Sequence, residues 1–126
     1  MEPTELAGNL IIKDGKILLI YRDDHNYWEV PGGKVEDDES PTEAAVRRAR
    51  EEIGVKVELR KPFYSGEFQH DDQLFLWHCY LAEIIEGEPE IQEDSFDGLE
   101  WVKPEEIDGM ELAPSLEMIL PGLRKV

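Results

Sequence analysis

The sequence predicts a mixed β-sheet held between helices, an α/β (α+β) fold of the α/β/α-sandwich type. Three observations carry that prediction. An Asp-Gly turn joins two apolar strands near the start, a long helix in the middle carries both a start and a stop signal, and strand-like runs followed by helical ones fill the remainder.

Residues 9–20 read as two apolar strands around Asp14-Gly15, a dipeptide favoured in two-residue hairpins. Residues 28–30 form a short strand that ends at Pro31. Ser40-Pro41-Thr42-Glu43 opens a helix: serine caps, proline takes the first helical position, and Glu43 stands where a capping box needs it. The helix runs to Ile53 and Gly54 stops it. Val46, Ala49 and Ile53 form its apolar face, with Ala45 beside them. Residues 55–59 alternate like a half-buried strand, 74–81 make a longer and more buried one, and 99–102 another. Pro104 starts a short helix, and 115–120 form the last. With no repeat or linker in its 126 residues, the chain is expected to be one domain, 1–126.

Thirteen basic residues against 30 acidic ones give a net charge of −17. Such a field repels a duplex or an anionic membrane surface, so long nucleic acid and membranes are poor partners. If the substrate is itself an anion, a bound divalent cation is the obvious screen. No apolar run approaches the ~20 residues of a membrane span, and the first residues lack a signal-peptide pattern. A lone cysteine, Cys79, excludes an internal disulfide and fits a reducing compartment. A cytoplasmic protein is expected. Cys79 reads as a small core residue, and its neighbour His78 points to the opposite strand face, so the two cannot share a zinc ion. Tyr27, Trp28 and Phe68 can stack on a base or serve as core.

Glu51 and Glu52 occupy the last turn of the predicted helix, where exposed carbonyls make the end partially negative. Acids there typically cost a few tenths to ~1 kcal/mol each. Arg47 and Arg48 can pair with them, although Arg before Glu is the weaker i,i+4 orientation. Two readings follow: a solvated charged face, or a pair that collects a cation. Hard oxygen donors without Cys or His point to Mg²⁺ or Mn²⁺ rather than zinc.

Gly33, five residues, Glu39, seven residues, then Arg47-Arg48-Ala49-Arg50-Glu51-Glu52-Ile53-Gly54-Val55 resemble the Nudix box, G-x5-E-x7-R-E-U-x-E-E-x-G-U with U an apolar residue. The box covers 23 of the 126 residues, and Trp28 to Pro31 extends it as members often do. The chain is identified as a member of the Nudix superfamily, most similar to its small MutT-type members. The resemblance implies a Mg²⁺- or Mn²⁺-dependent pyrophosphohydrolase. Its substrate would be a nucleoside diphosphate linked to another moiety, first of all a nucleoside triphosphate or a damaged nucleotide. Carried over by position, Glu51 and Glu52 would ligate metal with the backbone carbonyl of Gly32, while Gly33, Glu39 and Arg47 would support the site. Lys34, Arg22 and Trp28 would contact substrate. The resemblance leaves a homodimer open.

One position departs from the box. Arg48 stands where the pattern has a glutamate, commonly a metal ligand or the general base, and arginine cannot give up its proton to act as one. Three readings stay open. Another carboxylate serves as base, with Glu67, Asp71, Asp72, Glu93 and Asp94 on candidate loops. Alternatively Arg48 takes over one metal's charge role and clamps phosphate. Or the domain is catalytically impaired and acts as a nucleotide-binding or regulatory module.

Overall fold

Asp14 and Gly15 adopt left-handed backbone angles, with φ of 53° and 77°, and turn the chain between β1 (Thr4–Lys13) and β2 (Lys16–Arg22). This is the hairpin that the dipeptide predicts. A computed structural model describes residues 2–123 of the chain. After β2 come β3 (Tyr27–Glu29), β4 (Gly32–Lys34), helix α1 (Pro41–Ile53), β5 (Lys56–His70), β6 (Gln73–Glu86) and β7 (Phe96–Val102). A 3-10 turn (Pro104–Gly109) and α2 (Pro114–Leu123) follow.

The strands form a mixed sheet in the order β3-β2-β1-β6-β5, with β4 also paired to β1 and β7 to β2. β1 and β6 run parallel, and the other pairs are antiparallel. β1 changes partner along its length. Its start lies between β4 and β6, whereas its end pairs with β2 through Ile12 and Lys13. Asn9 fills the seam. Its backbone N–H donates to the Pro31 carbonyl at 2.8 Å, and its side-chain Nδ2 donates to Pro31 and Ala45 carbonyls at 3.2 and 2.9 Å. One buried amide thereby ties the proline-glycine segment to α1, which fixes how the two approach each other.

Side chains on the central strands alternate between two cores. Leu10, Ile17 and Leu19 face one side and pack with Trp77, Leu116 and Ile119 under α2. Ile11, Leu18 and Ile20 face the other and pack with Ala49, Ile53 and Val55 under α1. The continuous apolar run of β2 is thus explained by cover on both faces. Cys79 lies in the first core, and burial pushes its thiol up to about 12, as a core residue requires. No helix among the described residues is long and apolar enough to cross a membrane.

Helix α1 has the termini that its sequence specifies. Ser40 Oγ accepts from the Glu43 N–H at 3.2 Å, Glu43 Oε1 accepts from the Ser40 N–H at 2.9 Å, and Gly54 closes the helix at φ 69°. Three expectations need correction. The strands expected at 55–59 and 74–81 extend to Lys56–His70 and Gln73–Glu86, one long hairpin turning at Asp71 and Asp72. β5 carries register shifts around Arg60 and Phe63, so its apolar alternation breaks while its pairing continues. Gly32 and Gly33 are not only a break, since they lie in β4, paired with Gly8 and Ala7. On α1 the fully buried residues are Ala44, Ala45, Ala49, Glu52 and Ile53, with Val46 at the margin.

Candidate active site

The packing of β4 against α1 creates the site. An alanine Cβ at Gly32 would stand 2.5 Å from the Ala7 carbonyl oxygen, so the strand pair closes only over glycine. At Gly33 the added atom would stand 2.5 Å from Nε of Arg48: the bare backbone of Gly33 is the surface on which that guanidinium lies.

Arg48 reaches back to Glu52, Nη2 to Oε2 at 2.6 Å, while the Gly32 N–H donates to Glu52 Oε1 at 2.9 Å. Glu52 is fully buried. That burial pushes its carboxyl up to about 8, against the lowering pull of Arg48 and of the Gly32 N–H; Glu29 and Glu93 push the same way as burial. Glu51, one residue away, stays exposed and meets Arg47 at 2.8 Å and Arg48 at 3.7 Å. Arg47 also grips Glu39, at 2.6 and 3.0 Å, and donates to the Lys34 carbonyl at 3.1 Å. Hydrogen bonding to Arg47 holds the Glu39 carboxyl below its usual range. Arg47 and Glu39 therefore brace the loop between β4 and α1, and neither lines the cavity beside the helix.

The cavity beside this helix has a volume of about 470 Å³. Arg22, Glu29, Gly32, Gly33, Lys34 and Arg48 are among its polar lining, and Tyr27, Phe68, Phe75 and Trp77 among its aromatic lining. Phe68 and Phe75 are cross-strand partners with stacked rings 5.2 Å apart. Two buried donors in this wall, Arg48 Nε and Trp77 Nε1, have no hydrogen-bond partner among the described residues. Unpaired buried donors are costly.

Of the residues expected from sequence, Arg22, Gly32, Gly33, Lys34 and Arg48 come together at the cavity. Trp28 does not. On β3 successive side chains alternate, so Tyr27 and Glu29 line the cavity while Trp28 turns the other way, 5.1 Å from the Tyr21 ring. None of Glu67, Asp71, Asp72, Glu93 and Asp94 lines it. The residue that sequence reading passed over is Glu29. Burial pushes its carboxyl up to about 7, with Arg22 and Arg48 pulling it down and Asp24 adding to the rise. An acid between Trp28 and Val30 in a strand was the available signal.

A NUDIX domain model matches residues 4–121. The chain belongs to the Nudix family. It is 34% identical over 119 residues to the CTP pyrophosphohydrolase of Escherichia coli K12, an alignment spanning 91% of this chain and 87% of that protein. It is 30% identical over 131 residues to the 8-oxo-dGTP diphosphatase of the same organism, spanning both chains in full. A MutT NUDIX hydrolase from Burkholderia pseudomallei superimposes with a TM-score of 0.84 at 27% identity, covering 100% of this chain and 99% of that one. This Nudix protein is a hydrolase that acts on phosphorus anhydrides.

The donors present suit a hard divalent cation, though sparsely. Among the described residues no three His, Cys, Asp or Glu side chains gather in a ligand cluster. Two carboxylates, a backbone carbonyl, water and substrate phosphate are nonetheless a usual Mg²⁺ shell, and Glu51, Glu52 and Gly32 would supply the first three.

Proposed function

We propose that this Nudix enzyme hydrolyses a pyrophosphate bond in a nucleoside diphosphate linked to another moiety, with a nucleoside triphosphate or its damaged form as first substrate and Mg²⁺ or Mn²⁺ as cofactor. The observation that carries the reading is Arg48. Its guanidinium lies on Gly33 in the cavity wall with an unpaired Nε–H, in a wall that Lys34 and Arg22 also line. Three cationic side chains and several aromatic rings in one cavity fit a polyphosphate and a base together.

Glu51 and Glu52 with the Gly32 carbonyl would hold the cation, which supplies neutralisation of phosphoryl oxygens and a more acidic water. The protein's own part is positioning. Lys34 and Arg48 orient the phosphates, Arg22 is kept in place by Asp24 at 2.9 Å, and Tyr27, Phe68 and Phe75 exclude water around the nucleoside. Arg48 serves this clamp as a positive group at the position where the box has an acid. A cytoplasmic site of action accords with the single, buried, free Cys79.

The test is a substrate panel with Mg²⁺ and with Mn²⁺, read as phosphate released after phosphatase treatment. It comprises CTP, dCTP, 8-oxo-dGTP, ADP-ribose, a dinucleoside polyphosphate and capped RNA. Turnover of one or more triphosphates above the other classes is expected. Tight nucleotide binding without turnover of any compound would favour a binding or regulatory module instead.

A further inference from the structure

We propose that Glu29 is the general base of this enzyme, taking the proton of the water that attacks phosphorus. The inference rests on the pyrophosphohydrolase reading above and adds the residue that the box, with Arg48 in it, does not contain.

Glu51 and Glu52 are committed to the cation they would hold, and Glu52 also accepts from the Gly32 N–H and from Arg48. Glu51 is tied to Arg47, and Glu39 is closed in a fork with Arg47. Two carboxylates line the cavity, and Glu36 is 71% exposed with Arg47 at 3.7 Å, whereas Glu29 is held in the wall. It lines the cavity, only 12% of its side chain is exposed, and its ionic partner Arg22 stands 3.8 Å away, beyond hydrogen-bond length. The side chain is thus largely enclosed, and among the described residues no hydrogen bond engages its carboxylate.

The charges around it suit the task. Arg22 from β2 and Arg48 from α1 favour its ionised form, while burial and the charge of Asp24 in the turn after β2 oppose it. Glu52 of α1 interacts with it through space, and Lys34, His25, Glu36 and His70 line the same cavity. The balance lies near neutrality, at about 7, where a base has both the ionised form and the affinity for a proton. Arg48 thereby acts on both sides of the reaction, orienting a phosphate and keeping the base that faces it charged. In the step itself, one water proton passes to the Glu29 carboxylate as the water oxygen bonds to phosphorus. The anhydride P–O bond breaks with its electron pair staying on the departing phosphate oxygen, and the proton on Glu29 then passes to solvent.

Steady-state kinetics across pH 5–9 on the best substrate of the panel test this, with wild type, Glu29→Gln and Glu29→Asp. The affinity of a non-hydrolysable triphosphate analogue and thermal melting are measured alongside. Glu29→Gln should lower kcat by roughly 10²–10⁴-fold and abolish the limb in which rate rises with pH near 7. Analogue affinity should stay within a few-fold. Glu29→Asp keeps a carboxylate and should keep the limb at reduced kcat, even if the glutamine variant melts early. A Glu29→Gln enzyme that retains kcat and the limb, or that changes KM alone, overturns the proposal and makes Glu29 a substrate contact. A wild type inert on the whole panel overturns the parent reading instead.

Discussion

Gly32 and Gly33 are adjacent, yet a methyl group would do different things at each. At Gly32 it strikes main chain, the Ala7 carbonyl and Gly8 Cα, at 2.5 and 2.6 Å. Neither atom can yield without parting β4 from β1, so Gly32→Ala should cost about 1–3 kcal/mol at every pH. At Gly33 it strikes only the end of a long side chain, so Arg48 moves and the strand stays. Arg48 is what lowers the Glu52 carboxyl from a still higher value. Displacing it should therefore leave stability near wild type at pH 6, where Glu52 is protonated in either protein, and weaken the fold at pH 9, where wild-type Glu52 is ionised and paired. Urea unfolding at the two pH values separates these outcomes. Equal losses at both for Gly33→Ala would mean that the methyl group disturbs backbone after all.

Helix α1 carries Arg47, Arg48, Glu51 and Glu52 in its last two turns, and its first turn anchors them only through the rest of the helix. Ser40→Ala removes the Oγ acceptor for the Glu43 N–H but leaves the reciprocal bond from Glu43. It should destabilise the protein by ~1 kcal/mol while kcat stays within about twofold, since the loss falls at the far end of the helix. Denaturant melts and a single kinetic assay check this; a large drop in kcat would mean that α1 moves as a rigid lever. The cap was legible because all of its parts lie within four residues. So was the hairpin at Asp14-Gly15. The length of β5 was not, because Arg60, Lys61 and Pro62 look like a loop locally and pair only because β6 lies alongside. Glu29 was hidden for the same kind of reason, its neighbours Arg22 and Arg48 lying on other elements. At positions 48 and 52 the sequence allowed an ion pair; it could not show that Glu52 is fully buried beneath Gly32.

Two acids, the buried Glu52 and the largely enclosed Glu29, set the pH response of the whole molecule. Glu29 and Glu52 have folded values of about 7 and about 8, above the ordinary value of 4.5. A raised folded value means that the native state holds its proton more tightly than the unfolded chain. Their contribution is therefore complete below about 4.5 and is lost as pH rises toward 8. Glu39 and Asp24 act in the opposite sense, being held below their ordinary values by Arg47 and Arg22, so their contribution is lost only in stronger acid. Self-repulsion at a net charge of −17 adds to the loss on the alkaline side. Stability should accordingly peak in mild acid, near pH 5, and decline to pH 8, with added NaCl recovering part of the decline by screening. Glu52→Gln should flatten the slope between pH 5 and 8, because it removes the titrating group yet can still accept from Gly32. Urea midpoints measured at half-unit steps would reveal the pattern. A wild type that gains stability from pH 5 to 8 would show that Arg48 holds Glu52 ionised throughout, as a permanent ion pair rather than a buried acid.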